Sequence, residues 1–146
     1  MSARNPRPQK GAKSGKEFAS QTRRHRVLLI EDHAELAEAT AEFMRSQRLE
    51  VLLASTGGTG LQMAKECQPD IVLCDIRLPD MTGLEVARAL RAIPETKDAL
   101  IAIHTALSES DLRTFELEAD TAVNLFLSKP LTPEKLDKIL TQLKAF

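Results

Sequence analysis

Ile71-Val72-Leu73-Cys74-Asp75-Ile76-Arg77-Leu78-Pro79-Asp80-Met81-Thr82-Gly83 is the stretch whose reading decides the fold. Four apolar residues run into a carboxylate, and a turn containing proline and glycine follows at once. A short continuous apolar run bounded by turn signals is the pattern of a strand buried on both faces. Asp75 then stands where that strand leaves the sheet. In open parallel sheets this carboxyl edge is where ligands bind. The plainer reading, an Asp that ends a strand and caps the next loop, stays open on this stretch alone.

Working outward, three more apolar runs end in chemistry. Val27-Leu28-Leu29-Ile30 is followed by Glu31-Asp32, Leu100-Ile101-Ala102-Ile103-His104 by Thr105, and Asn124-Leu125-Phe126-Leu127-Ser128 by Lys129-Pro130. If these runs are parallel neighbours, three carboxylates, a hydroxyl and an ammonium meet on one rim. Each taken singly has a bland reading: helix-capping acids, an ordinary β-residue, a surface lysine. Their joint occurrence at successive strand ends points instead to one site.

Helical segments alternate with the strands. Ala34 to Gln47 carries Ala37, Ala41 and Met44 on one stripe. Glu50–Ala54 reads as a second strand. Ser55 to Gly60 reads as a flexible loop leading into a short helix through Cys67. Thr82-x-x-Glu85 is a capping-box pattern. It opens a helix whose apolar face is expected to hold Leu84, Ala87, Leu90 and Ile93, with Pro94 ending it. Ser108-x-x-Asp111 resembles another helix start, with Leu112, Phe115 and Ala119 following at helical spacing. Thr132 as cap, Pro133 at the first position and Leu136, Ile139, Leu140 and Leu143 beyond it predict the last helix. Five strands alternating with five helices predict an α/β fold. It is a doubly wound five-stranded parallel sheet with helices on two faces.

The chain has 146 residues, 42% of them hydrophobic, which suits one globular domain with a real core. No apolar run approaches the length of a membrane span, and no apolar segment follows the basic N-terminus to make a secretory signal. Cys67 and Cys74 form neither a disulfide framework nor a C-x-x-C motif, so a reduced, cytoplasmic protein is expected. The net charge of −1 conceals an asymmetry. Arg4, Arg7, Lys10, Lys13, Lys16, Arg23 and Arg24 oppose only Glu17, giving residues 1–24 a balance of +6 and the remainder −7. Residues 1–24 hold too little apolar surface to offset ordering entropy and read as a disordered basic tail ahead of a domain over 25–146. Phe18 is the one aromatic residue of the tail, so its charges are not interleaved with a series of aromatics for base stacking and a nucleic-acid partner is not expected. Gly11 to Glu17 superficially resembles a phosphate loop. Its glycines are one residue too close, Glu17 replaces the required hydroxyl residue, and no strand precedes it. The Ser55-to-Gly60 loop resembles those of flavodoxins but follows the second strand rather than the first.

Glu31-Asp32, Asp75 with Pro79 and Gly83, Thr105-Ala106 and Lys129-Pro130 together resemble the response-regulator receiver domain of two-component signalling, over Arg26 to Phe146. The resemblance implies the flavodoxin-like strand order 2-1-3-4-5, which seats the first strand beside the third. It implies a phosphorylation switch rather than an enzyme acting on a separate substrate. Asp75 takes a phosphoryl group from a histidine kinase or a histidine phosphotransfer protein, and a downstream protein target or a homodimer reads the result. Three close carboxylates resist ionising together unless a cation sits among them, and all-oxygen ligands suit hard Mg²⁺, or Mn²⁺. By the resemblance Asp32 and Asp75 bind the cation directly, Glu31 through water, and Arg77 through its backbone carbonyl. Lys129 and Thr105 cover phosphoryl oxygens, and Phe126 shifts when Thr105 moves. Arg77 and Leu107, at the mouth of the pocket, tune the phosphoryl lifetime.

The same oxygen-rich set argues against a transition metal at His33 or His104, and strand alternation turns His104 away from Thr105. Glu118-Ala119-Asp120 stands where Gly-Ala-Asp is common, and Thr121-Ala122-Val123 lengthens the connection to the last strand. With the chain stopping at Phe146, a stand-alone or excised receiver is expected. Two rivals are a docking adaptor that is never phosphorylated and a small Mg²⁺-dependent phosphatase. The latter usually needs a second acid where Arg77 stands.

Overall fold

A computed structural model describes residues 24–114 and 120–144. The tail expected over 1–24 lies outside the described residues except for Arg24, as do Phe115, Glu118 and Ala119. The strands are β1 (Arg26–Ile30), β2 (Glu50–Ala54), β3 (Ile71–Cys74), β4 (Leu100–Thr105) and β5 (Leu125–Ser128). Between and after them come α1 (Ala34–Ser46), α2 (Gly57–Cys67), α3 (Gly83–Ala92), α4 (Glu109–Thr114) and α5 (Pro133–Lys144). All strand pairings are parallel, in the order β2-β1-β3-β4-β5. The sheet is thus the doubly wound, flavodoxin-like one expected.

The central strands are apolar throughout because both their faces are covered. Alternate residues divide between two cores. Val27, Leu29, Ile71, Leu73, Leu100 and Ala102 pack with Ala37, Ala41 and Met44 of α1 and Leu136 and Ile139 of α5. Leu28, Ile30, Val72, Cys74, Ile101 and Ile103 pack with Ala64 of α2 and Val86, Ala87 and Leu90 of α3. The clamp on the sheet is therefore two-sided, and its strand ends are held rigidly from behind. Among the described residues no helix is long and apolar enough to cross a membrane.

Two local readings need correction. The segment expected as a flexible loop over Ser55 to Gly60 is largely the first turn of α2, with Thr56 as its N-cap. Glycine content argued for a loop, but here it serves close approach. A Cβ on Gly60 would come within 2.4 Å of Ile30 Cδ1, and one on Gly57 within 2.4 Å of Met81 Cγ. Bare backbone lets α2 seat against β1 and the loop after β3. In α3 the expected Ala87 and Leu90 reach the core, Leu84 packs half-buried against it, and Val86, not expected there, is fully buried. The helix presents Gly83, Val86, Ala87 and Leu90 inward, a stripe that shares Ala87 and Leu90 with the one expected and adds Val86.

The predicted helix starts hold. Thr82 and Glu85 form a reciprocal capping box, and Ser108 and Asp111 exchange the same pair of bonds. The Thr132 hydroxyl accepts from the Lys135 N–H. Each such cap stabilises its helix by about 1 kcal/mol. The lengthened connection before β5 is tied down by side chains. The Asp120 carboxylate accepts from the Ala122 N–H, and Asn124 Oδ1 accepts from the Ile101 N–H at 2.7 Å. Arg91 donates to the carbonyls of Lys97, Ala99 and Ala122 and to Asn124.

Candidate functional site

Parallel register puts the ends of β1, β3, β4 and β5 on one rim. Ile30 pairs with Cys74, so the residues that follow, Glu31-Asp32 and Asp75, emerge side by side. Thr105 is the last residue of β4 and pairs with Ser128, one position before Lys129. Glu31, Asp32 and Asp75 each offer a carboxylate oxygen within 4.8 Å of the others. Lys129 reaches across from the far strand. Its Nζ donates to Glu31 Oε1 at 2.7 Å and to Asp75 Oδ2 at 2.9 Å.

The members of this group differ in depth. Glu31 is only 4% exposed, Asp75 is half-buried and Asp32 is exposed. Glu31 Oε2 also accepts from the His33 N–H at 3.2 Å. Burial on its own draws the Lys129 ammonium down, but its hydrogen bonds to Glu31 and Asp75, reinforced by their charges, outweigh that and hold its pKa above the usual lysine value. Within this group a single ammonium is shared by two of the three acids, so one positive charge faces three carboxylates, and the third, Asp32, is exposed. A cluster of oxygen donors with surplus negative charge suits a hard divalent cation.

Thr105 is 2% exposed, and its hydroxyl accepts from the Leu107 N–H at 3.2 Å, while its carbonyl accepts from the Lys129 N–H at 2.7 Å. A hollow of about 200 Å³ is lined by Asp75, Arg77, Thr105, Ala106 and Leu107. Arg77 and Leu107 thus stand at its walls, and the Arg77 N–H points to Asp75 Oδ1 at 3.4 Å. Phe126 pairs with Ile103 and shares the Thr105 face of the sheet, half-buried against the core on the α2 and α3 side. Gly83 allows α3 to start directly against the site. A Cβ there would lie 2.4 Å from the Asp75 carbonyl oxygen.

The histidines fall outside the acidic group. His33 caps α1, its Nδ1 accepting from the Leu36 N–H. His104 alternates onto the opposite face from Thr105, is 1% exposed, and its Nε2 has no hydrogen-bond partner among the described residues. Burial, with a further push from Lys129, lowers its pKa from 6.5 to about 4, against a weaker opposing pull from Asp75.

One residue beside the site had no signal in the sequence. Asp80 Oδ1 and Oδ2 accept from the N–H groups of Gly57 and Gly58, both at 2.8 Å. Its partners lie more than twenty positions upstream, and no local pattern links them.

Known proteins resemble this chain in sequence and in fold. The family model for the response regulator receiver domain matches residues 27–141. The DNA-binding response regulator MtrA of Mycobacterium bovis is 30% identical over 115 residues, covering 79% of this chain and 48% of that protein. The cell cycle response regulator CtrA of Brucella ovis is 33% identical over 111 residues, covering 76% and 46%. The chain therefore spans about half the length of the curated relatives it matches. Among solved structures, the receiver domain of the sensor histidine kinase PA1611 from Pseudomonas aeruginosa PAO1 superposes with a TM-score of 0.74 at 27% identity, covering 85% of this chain and all of that one. It carries a magnesium ion coordinated in its active-site cleft. Chemotaxis response regulator CheY4 of Vibrio cholerae gives 0.72 at 26% identity, covering 83% and 99%. With the sheet order, the acidic rim and the match across nearly the whole domain in agreement, this chain belongs to the response regulator receiver domain family.

Proposed function

We propose that this chain is a phosphorylation-dependent signalling switch in which Asp75 is the phosphoacceptor. The observation that carries this reading is the Lys129 ammonium bridging Glu31 and Asp75, groups drawn from three strand ends and separated by up to 98 positions. Asp75 Oδ attacks the phosphorus of a partner's phosphohistidine. An O–P bond forms, the P–N bond breaks, and the imidazole leaves. Asp75 is suited to this because its backbone is fixed by a strand buried on both faces, so its carboxylate is aimed rather than searching.

Transfer of this kind needs positioning and compensation of charge on the equatorial oxygens. Asp32, Asp75, Glu31 and the Arg77 carbonyl would hold Mg²⁺ (or Mn²⁺), which supplies part of that compensation. Lys129 supplies another part: its ammonium, now shared by two acids, exchanges the Asp75 contact for a phosphoryl oxygen. The Thr105 hydroxyl turns from the Leu107 N–H to donate to a third oxygen. Its departure opens room on the face it shares with Phe126, which moves inward and alters the surface of α4 and β5. Arg77 and Leu107, lining the hollow, set how readily water reaches the phosphoryl group.

The partners proposed are a cytoplasmic histidine kinase or histidine phosphotransfer protein, a downstream protein target and a homodimer. Chemistry is limited to the chain's own phosphorylation and dephosphorylation. MtrA is named as DNA-binding, so the expectation that nucleic acid is not a partner is proposed here for residues 24–144 alone. Incubation with a small phosphodonor and Mg²⁺, followed by intact-mass measurement, tests the reading. One phosphate adduct is expected, absent in Asp75→Asn and absent after chelation. An adduct that persists in Asp75→Asn overturns it.

A further inference from the structure

Asp80 lies five positions beyond Asp75 and is exposed, yet both its oxygens are committed. They take the N–H groups of Gly57 and Gly58, the first two residues of α2. Thr56 takes the next two: its hydroxyl accepts from the Thr59 N–H and its carbonyl from the Gly60 N–H. The Gly60 bond is the first regular one of the helix, and of the N–H groups that a helix start leaves without partners, those of Gly57, Gly58 and Thr59 are satisfied, two of them by a residue from another loop. The bonds from Gly58 and Gly57 hold the Asp80 carboxyl below the usual aspartate range.

The loop that supplies Asp80 is closed on itself. Arg77 and Thr82 form an antiparallel bridge, the Leu78 N–H donates to the Met81 carbonyl at 3.2 Å, and the Gly83 N–H donates to the Ile76 carbonyl at 2.8 Å. Such a unit moves as one piece. It is fastened to α2 at two places: the Asp80 clasp, and Met81, whose side chain rests on the bare backbone of Gly57. Its first residue, Arg77, is the one whose carbonyl completes the proposed cation site.

We propose that Asp80 is a positioning residue for that site. By pinning loop 77–82 to the start of α2, it presets the Arg77 carbonyl, so its loss weakens divalent-cation binding without altering any of the three carboxylates. The inference rests on the cation reading above. Groups that orient metal ligands typically change affinity tenfold or more when removed. A helix cap with no link to the site changes only stability.

Mg²⁺ affinity measured by titration calorimetry, alongside urea unfolding, separates the two roles. Asp80→Ala is expected to raise the Mg²⁺ dissociation constant roughly tenfold. Thr56→Ala removes a cap from the same helix end without touching the loop. It is expected to lower stability while leaving the dissociation constant within about twofold of the unaltered chain, since a cap acts on helix stability alone. Asp80→Asn, which keeps one acceptor oxygen, is expected to fall between. Equal Mg²⁺ affinity in Asp80→Ala and the unaltered chain, or equal weakening in Asp80→Ala and Thr56→Ala, overturns the proposal for Asp80 alone. An unaltered chain that binds no Mg²⁺ overturns the cation reading and this proposal together.

Discussion

His104 makes the stability of this domain depend on pH in a way its surface does not reveal. The imidazole is 1% exposed, its Nε2 has no partner among the described residues, and burial above all holds its pKa at about 4 against 6.5 when unfolded. The groups acting on it are Lys129 and Lys135, which oppose protonation, and Asp75, which favours it. Because the folded value is the lower one, the unfolded chain binds more protons as pH falls through this window. Stability is full above pH 6.5 and is lost toward pH 4. The two values imply a loss of about 2 kcal/mol between pH 7 and pH 5 from this residue alone. The protein has no Trp or Tyr, so urea unfolding followed by far-UV circular dichroism is the suitable assay. His104→Leu keeps the volume and removes the titrating group. Its stability should fall by about 2 kcal/mol less than that of the unaltered chain between pH 7 and pH 5, the remaining carboxylates being common to both. At pH 7 the variant should be at least as stable, since a buried nitrogen without a partner costs about 1–3 kcal/mol. The reasoning fails if the two chains lose stability in parallel, or if the His104 ring protons titrate near 6.5 by NMR.

Further outcomes follow from the rim. Gly83→Ala places a methyl group 2.4 Å from the Asp75 carbonyl oxygen and 3.0 Å from Ile76 Cα. Backbone atoms cannot step aside as a flexible side chain would, so a loss of about 1–3 kcal/mol in urea unfolding is expected; unchanged stability would refute the close approach. Lys129→Met leaves Glu31, whose side chain is 3% exposed, without its ammonium. Breaking such a buried pair costs about 3 kcal/mol or more. Mg²⁺ should restore much of it by replacing the lost positive charge among the acids, and a variant whose unfolding ignores Mg²⁺ would count against the three acids acting as one site.

The elements legible in the sequence were those whose signals are local. Apolar runs ending in Glu31-Asp32, Asp75, Thr105 and Lys129 marked buried strands and their mouths, and Thr82-x-x-Glu85 and Thr132-Pro133 marked helix starts, because caps and patterns operate within a few residues. Where a residue type has two uses, the sequence misled. Three glycines between Ser55 and Gly60 suggested a loop, yet Gly57 and Gly60 are small so that Met81 and Ile30 can sit against a helix. On α3 the expected Ala87 and Leu90 are buried and Leu84 packs half-buried against the same core, but Val86, not expected there, is fully buried beside them.

By itself the sequence determined the order and type of the elements and the identity of the rim's acids, hydroxyl and ammonium. Both follow from short-range periodicity and from which residues end each run. Only the tertiary structure decided how those groups engage: that Lys129 is shared between Glu31 and Asp75, that His104 is buried with no partner for its Nε2 among the described residues, and that Asp80 fastens the loop after β3 to α2. Such contacts join positions about twenty to a hundred apart. They depend on distances of a few tenths of an ångström set by how the helices pack, and no local pattern encodes that.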